Sequence, residues 1–428
     1  MPRFTRSLAI TLQALVWIGL ATQAHALALD GAARAASAGQ LSTVNGQRTL
    51  HLYGGDVKER GFAHGYLLAE QIRDDFDAAL TSLPMFGPQK FEAKLLPWAQ
   101  SHFEWDADST AELDGVYDGM LARLGADSMK SKVLERAYTR NDIAAINVIA
   151  DYFGPACSGF TAWGSRTEGG AVIHGRNLDF PIGRKPIADQ ILFISDPLPQ
   201  RDANPARLQW ICLGWPGLIV QFSGMNSSGL VACIHDGYNV NHGDKGTGYM
   251  PRGLMLRRIL EAVDPAQTEP AEAAAKLAAQ KPTACGNLFH LSWPGAAAKK
   301  FNETPSAVLE FDPADQAPKI RRMDDSGTLV VTNHFRVLNT PVACERFTKI
   351  TAGLELLKKA DRKIGQGEAQ KLLMAAEQPV AAHSIYFYPD TLEFRIALTR
   401  ENVMSPHVPP VAFSFKDLIE KTAEHASR

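Results

Sequence analysis

Cys157, Arg176 and Asp179 are residues whose types and spacing could carry nucleophilic chemistry. Cys157 starts a short apolar, β-forming run over 156–164. A second run lies within 169–180, with Arg176 and Asp179 expected just after its strand and a polar turn at 165–170 between the two runs. An antiparallel return would bring thiol, guanidinium and carboxylate to one end of a sheet. A cation beside a thiol favours the thiolate, the nucleophilic form, and a carboxylate can orient an adjacent amine. The competing reading is an inert core cysteine, because free thiols are among the most buried side chains.

The elements that must position these residues differ on either side of Cys157. Before it, residues 27–40 are Ala- and Gly-rich and read as a loose start, and 48–55 as a strand into a turn. Apolar residues at three- and four-residue steps predict helices over 57–76, 92–126 and 130–152, broken by Phe153, Gly154 and Pro155. Gly61 and Gly65 fall inside the first of these. Each costs about 1 kcal/mol against alanine in a helix, which suggests close packing on another backbone. His64 between them reads as a packed or capping histidine.

After Cys157 the pattern turns to strands, at 190–194, 207–213, 218–224, 229–235, 287–293, 307–311 and 329–332, with helices over 252–263, 271–280 and 345–359. A hairpin closes the series, 383–388 and 392–397 around Pro389, Asp390 and Thr391. Helices between two sets of antiparallel strands predict a layered α+β fold.

Composition narrows the function. With 44 basic and 46 acidic residues the net charge is −2, so no global field favours nucleic acid or an acidic membrane. Arg3 and Arg6, an apolar run over 8–20 and Ala24-His25-Ala26 read as a secretory signal, residues 1–26, with a mature start at Leu27. That run is shorter than the ~20 residues needed to span a bilayer, so a secreted or periplasmic protein without stable membrane insertion is expected. If Cys157 stays free, Cys212, Cys233, Cys285 and Cys344 allow three pairings, and buried free thiols are an equal reading. No C-x-x-C or H-E-x-x-H motif is present, so no metal site or cofactor is expected.

The run Gly175-Arg176-Asn177-Leu178-Asp179 after Cys157 resembles the start of the catalytic chain in cysteine N-terminal-nucleophile (Ntn) hydrolases. The branches it resembles are choloylglycine hydrolase, acid ceramidase and isopenicillin N acyltransferase. The interval from Cys157 to Asp179 is slightly longer than in those relatives. The resemblance implies an αββα four-layer sandwich preceded by a helical leader, and self-cleavage that exposes Cys157 as a chain terminus. It further implies that Asn333 faces the developing oxyanion and that Arg346 closes the site. In the choloylglycine branch the strand after Gly224 to Leu230 ends in a second oxyanion asparagine. Asp236 stands there in this chain, so a backbone N–H near His235 or Asp236 is expected to take that role.

The mechanism implied is amide acyl transfer. The Cys157 α-amine, with a reference pKa of about 8, accepts the thiol proton and later passes it to the leaving amine. Attack then gives a thioester that water opens. The expected organisation is a signal over 1–26, a mainly helical segment over 27–156 and a catalytic segment over 157–428, with the two cleaved chains staying associated. The expected substrate is a small-molecule linear acyl amide, with Trp163, Phe180, Trp215, Leu218 and Phe222 as acyl-pocket candidates. Competing readings are an acyltransferase using the same site, a non-catalytic binding protein on the same shell, and a papain-like enzyme pairing Cys157 with His334 or His383.

Overall fold

The computed structural model describes residues 29–82, 87–154, 156–197, 207–237, 246–313, 315–323, 326–338 and 342–426. The expected signal over 1–26, the start at Leu27 and Pro155 lie outside the described residues.

Two sheets carry the fold. Strands are numbered along the chain. The nine-stranded sheet runs β1 (Gly39–Val44), β2 (Gln47–Leu52), β5 (Ile191–Ser195), β6 (Trp210–Gly214), β7 (Ser223–Asn226), β8 (Val231–Gly237), β9 (Gly286–Ser292), β10 (Ser306–Asp312) and β11 (Asp315–Arg321). The six-stranded sheet runs β12 (Thr328–Val331), β3 (Ala156–Ala162), β4 (Ile173–Asp179), β13 (Ala381–Tyr388), β14 (Glu393–Leu398) and β15 (Val411–Ser414).

The two-residue period of a strand sorts side chains into layers. On β8, Ala232 and Ile234 pack with Leu254 and Ile259 of the Arg252–Ala262 helix, whereas Val231 and Cys233 pack with Ile385 and Phe387 of β13. On β13, Tyr386 faces the other way, onto Ile350 and Leu354 of the Glu345–Lys359 helix and Leu372 of the Gln366–Ala375 helix. The order helix, sheet, sheet, helix follows, which is the expected four-layer sandwich.

The segment before Cys157 is woven into this body. Its strands β1 and β2 form a hairpin, and β2 pairs parallel with β5. Leu50, Phe62, Val116 and Ile143 share one apolar core with Phe180, Trp215 and Leu254. The Val57–Leu67 helix lies against the Ala107–Leu124 helix through glycines on both sides. A Cβ on Gly61 would stand 2.3 Å from Glu112 O, on Gly65 2.0 Å from Val116 O, and on Gly119 2.2 Å from Phe62 O. The close backbone approach expected from Gly61 and Gly65 is therefore present.

Several boundaries differ from the sequence reading. Residues 29–38 are helical, not a loose start. The expected 57–76 helix divides at Leu68 into Val57–Leu67 and Ala69–Ser82. The expected 92–126 helix stops at His102, because Asp106 caps a new helix by accepting from Ser109 N at 2.7 Å. Over 130–152 only Arg140–Asn147 and Ile149–Tyr152 are helical. The 218–224 strand begins only at Ser223, since the preceding residues form an irregular link after Trp215 to Gly217. Among the described residues no helix is long and apolar enough to cross a membrane.

Candidate active site

The β3–β4 ladder pairs Ala156 with Asp179, Cys157 with Leu178 and Gly159 with Arg176. The predicted hairpin is thus present, its link folded as two short 3-10 turns, Gly164–Arg166 and Glu168–Gly170. Alternation along the strands puts Cys157 and Arg176 on the same inner face, toward the nine-stranded sheet.

There Arg176 Nη2 donates to Cys157 Sγ at 3.0 Å and to Ile234 O at 2.8 Å. Nη1 donates to Phe222 O at 2.6 Å and to the Ser223 hydroxyl. Both Cys157 and Arg176 are fully buried. Burial raises the thiol above its ordinary range, and the Arg176 cation pulls against that shift.

Asn333 and Arg346 arrive from far along the chain. Asn333 follows β12, the strand that pairs with β3, and its Oδ1 accepts from Cys157 N at 2.8 Å. Arg346 lies in the first turn of the Glu345–Lys359 helix and donates to Cys157 O at 2.6 Å and to Asn333 Oδ1 at 2.7 Å. It also lies 3.5 Å from Asp179 Oδ2. Asn333 Nδ2 donates to Asp236 O at 3.0 Å. All five expected site residues therefore meet around the Cys157 backbone and thiol.

Asp179 is the electrostatic exception in the group. Its carboxyl is fully buried, and among the described residues neither oxygen has a hydrogen-bond partner. Burial pushes it up to about 7, against the pull of Arg346 and Arg176. An acceptor stripped of water and left unfilled costs roughly 1–3 kcal/mol unless a donor arrives.

Asp236 is committed elsewhere. Its carboxylate pairs with the buried Arg252 at 2.5 Å, and Arg252 N donates to Asp151 at 3.0 Å. Gly154 presses on the same carboxylate: a Cβ there would stand 1.6 Å from Asp236 Oδ2. The side chain at 236 offers no N–H of the kind an asparagine would.

Of the histidines, His64 is buried and its Nε2 accepts from Gly217 N at 2.9 Å, the packed role expected for it. His383 directs its ring nitrogens to Gln190 and Ser223, and the side chain that bonds the thiol is Arg176. All five cysteines are free thiols, Cys344 part-exposed and the others buried. Among the described residues no cluster of His, Cys, Asp and Glu could hold a metal ion.

An apolar cavity of about 40 Å³ lies close by, lined by Phe76, Ile146, Ile149, Phe180, Trp215 and Leu218 among others. Trp215 makes edge contacts with Phe180 and with Phe222, whose carbonyl holds Arg176. Of the acyl-pocket candidates, Phe180, Trp215 and Leu218 line it. Phe222 stands behind Trp215, and Trp163 packs instead beside Leu288 and Phe335.

No family model and no curated protein sequence matches the chain. Among solved structures it is similar to a Caenorhabditis elegans N-acylethanolamine-hydrolyzing acid amidase ortholog, at 14% identity and a TM-score of 0.41 over 55% of this chain and 93% of that one. It is also similar to a mutant of the conjugated bile acid hydrolase of Clostridium perfringens, at 11% identity and a TM-score of 0.40 over 61% and 93%. A third is penicillin V acylase from Agrobacterium tumefaciens, at 13% identity and a TM-score of 0.37 over 57% and 84%. At these scores the chemistry of the site rests on its own geometry.

Proposed function

We propose that this chain is an exported, self-processing cysteine amidohydrolase that cleaves linear acyl amides through a Cys157 thioester. One arrangement carries the reading: a guanidinium 3.0 Å from the thiol, with the unfilled Asp179 carboxyl opposite Ala156 in the ladder.

In the first step Cys157 Sγ attacks the Ala156 carbonyl carbon, the bond to Cys157 N breaks, and that nitrogen takes the thiol proton. Water then opens the thioester, releasing the Ala156 carboxylate and the thiol. The new α-ammonium at Cys157 brings the hydrogens that Asp179 lacks, and a charged donor beside it lowers the carboxyl pKa again. In the processed enzyme the α-amine takes the thiol proton, Arg176 supports the thiolate, Asn333 faces the oxyanion and Arg346 holds Asn333 in place. The thiol is fully buried in the uncut chain, and on this reading cleavage is also what opens the site to substrate.

The cavity beside Phe180 and Trp215 suits the end of a hydrophobic acyl chain. At ~10–15 Å³ per water it has room for a few methylenes. Each methylene buried there contributes about 0.8 kcal/mol. The reading includes export with residues 1–26 as the signal, and two chains that stay associated through their shared core.

The experiment compares kcat/KM of processed protein on N-acyl amides of increasing acyl length against short peptides of similar mass. The proposal expects a rise with acyl length and poor peptide cleavage. Peptides cleaved as well as acyl amides, or no dependence on the acyl group, would overturn it.

A further inference from the structure

We propose that Gln190, His383 and Ser223 form a relay of fixed hydrogen-bond direction that positions Arg176 against the Cys157 thiol. His383 and Ser223 are then positioning residues of the site. The inference rests on the reading of Cys157 as the nucleophile.

The direction of the relay follows from its outermost member. The Gln190 amide is oriented by its Nε2, which donates to Ile187 O at 2.8 Å and Ala382 O at 3.2 Å. Its Oε1 therefore faces His383 Nδ1, 2.6 Å away. An amide oxygen only accepts, so Nδ1 carries the ring proton and Nε2 of the neutral ring is an acceptor. Ser223 Oγ lies 3.2 Å from that Nε2 and must donate to it. With its proton committed, the serine turns its lone pairs to Arg176 Nη1.

Each hydrogen on the two guanidinium Nη atoms then has an acceptor. Nη1 serves Phe222 O and Ser223, and Nη2 serves Ile234 O and Cys157 Sγ. Successive members of the relay alternate between the sheets. Gln190 precedes β5, His383 lies on β13, Ser223 on β7 and Arg176 on β4. The relay thus holds the cation across the inter-sheet space, where all its members are almost fully buried. Burial also holds His383 well below the ordinary histidine range, which keeps the ring neutral as the relay requires.

A histidine that merely fills the core predicts a stability loss when changed, and no change in thiol reactivity. The test is therefore alkylation of Cys157 by iodoacetamide in processed protein between pH 4 and 9, read by mass on the peptide that begins at Cys157. Ser223→Ala is expected to raise the midpoint by about one pH unit, which is tenfold slower alkylation below it. It should lower kcat while leaving KM near wild type. Ser223→Thr, which keeps the hydroxyl, should restore the midpoint.

If Ser223→Ala does not accumulate as processed protein, His383→Leu decides in the same assay. It keeps the serine but removes the acceptor that fixes its direction, and about threefold slower alkylation is expected. A wild-type Cys157 that resists alkylation would overturn the nucleophile reading itself. A reactive wild-type Cys157 whose midpoint is unmoved in the tested variant would overturn the relay alone.

Discussion

Ala156 lies directly opposite Asp179 across the β3–β4 ladder, so a buried carboxyl with no donor among the described residues stands beside the peptide bond that precedes the thiol. An unfilled acceptor is costly in a finished interior and useful in one that is about to gain a donor. Under the proposed self-cleavage, the pair links the fold of the uncut chain to the chemistry of the cleaved one.

Asp179→Asn tests that link in the uncut state, made permanent with Cys157→Ala. The native carboxyl is pushed up to about 7, while the unfolded one titrates near its ordinary value. Between roughly pH 4 and 7 the native state therefore holds a proton that the unfolded state has released, and stability falls as pH rises through that window. Asparagine does not titrate. Urea midpoints at pH 4.5 and 7 should show a larger gain with rising pH in the double variant than in Cys157→Ala, because the opposing contribution of Asp179 is gone, by on the order of a few kcal/mol at most. An identical slope in both proteins would show Asp179 already ionised in the uncut fold.

The buried histidines act in the opposite direction. Burial holds His64 and His174 down to about 3, and His235, His290 and His383 well below the usual range. Their stabilisation is complete above about pH 6.5, where the unfolded rings are also neutral, and is lost as pH falls below it. These rings outnumber the buried Asp75, Asp151 and Asp179, which are raised to about 7 and work against them. Thermal scans should show Tm dropping from pH 7 to pH 5. A flat or rising Tm would mean that the rings are protonated within the fold.

Asn333→Ala should lower kcat by ~10² or more, the effect of losing one oxyanion donor worth ~2.7–4 kcal/mol. The same change removes the oxygen that holds Cys157 N and Arg346, so cleavage should slow but remain detectable by mass. Turnover equal to wild type would remove Asn333 from the site.

Gly65→Ala should destabilise the leader packing by about 1–3 kcal/mol or more, because the new methyl meets Val116 O at 2.0 Å and backbone cannot swing aside. Gly367→Ala is the control. It is helical with open space around it, and should be neutral or slightly stabilising. Equal denaturant midpoints for the two variants would contradict the close helix contact.

How much of this was legible in the sequence depended on distance along the chain. The β3–β4 hairpin was readable because its apolar runs and polar turn are contiguous, and Gly61 and Gly65 announced a close contact. The partner surface at Gly115 and Gly119 has the same spacing but went unread inside a long helical pattern. The stop at His102 was missed because apolar periodicity continues through it, while the capping carboxylate of Asp106 decides the boundary. Asn333 and Arg346, 176 and 189 positions from Cys157, carried no local signal and were placed by resemblance alone. Ser223 was missed altogether, since only the meeting of the two sheets brings β7 to Arg176.

The most direct measurement is intact mass with N-terminal sequencing of the purified wild-type protein. The account predicts two chains, close to residues 27–156 and 157–428, the second beginning at Cys157, and a Cys157→Ala protein that stays uncut. Active wild-type protein found only as a single uncut chain would contradict it.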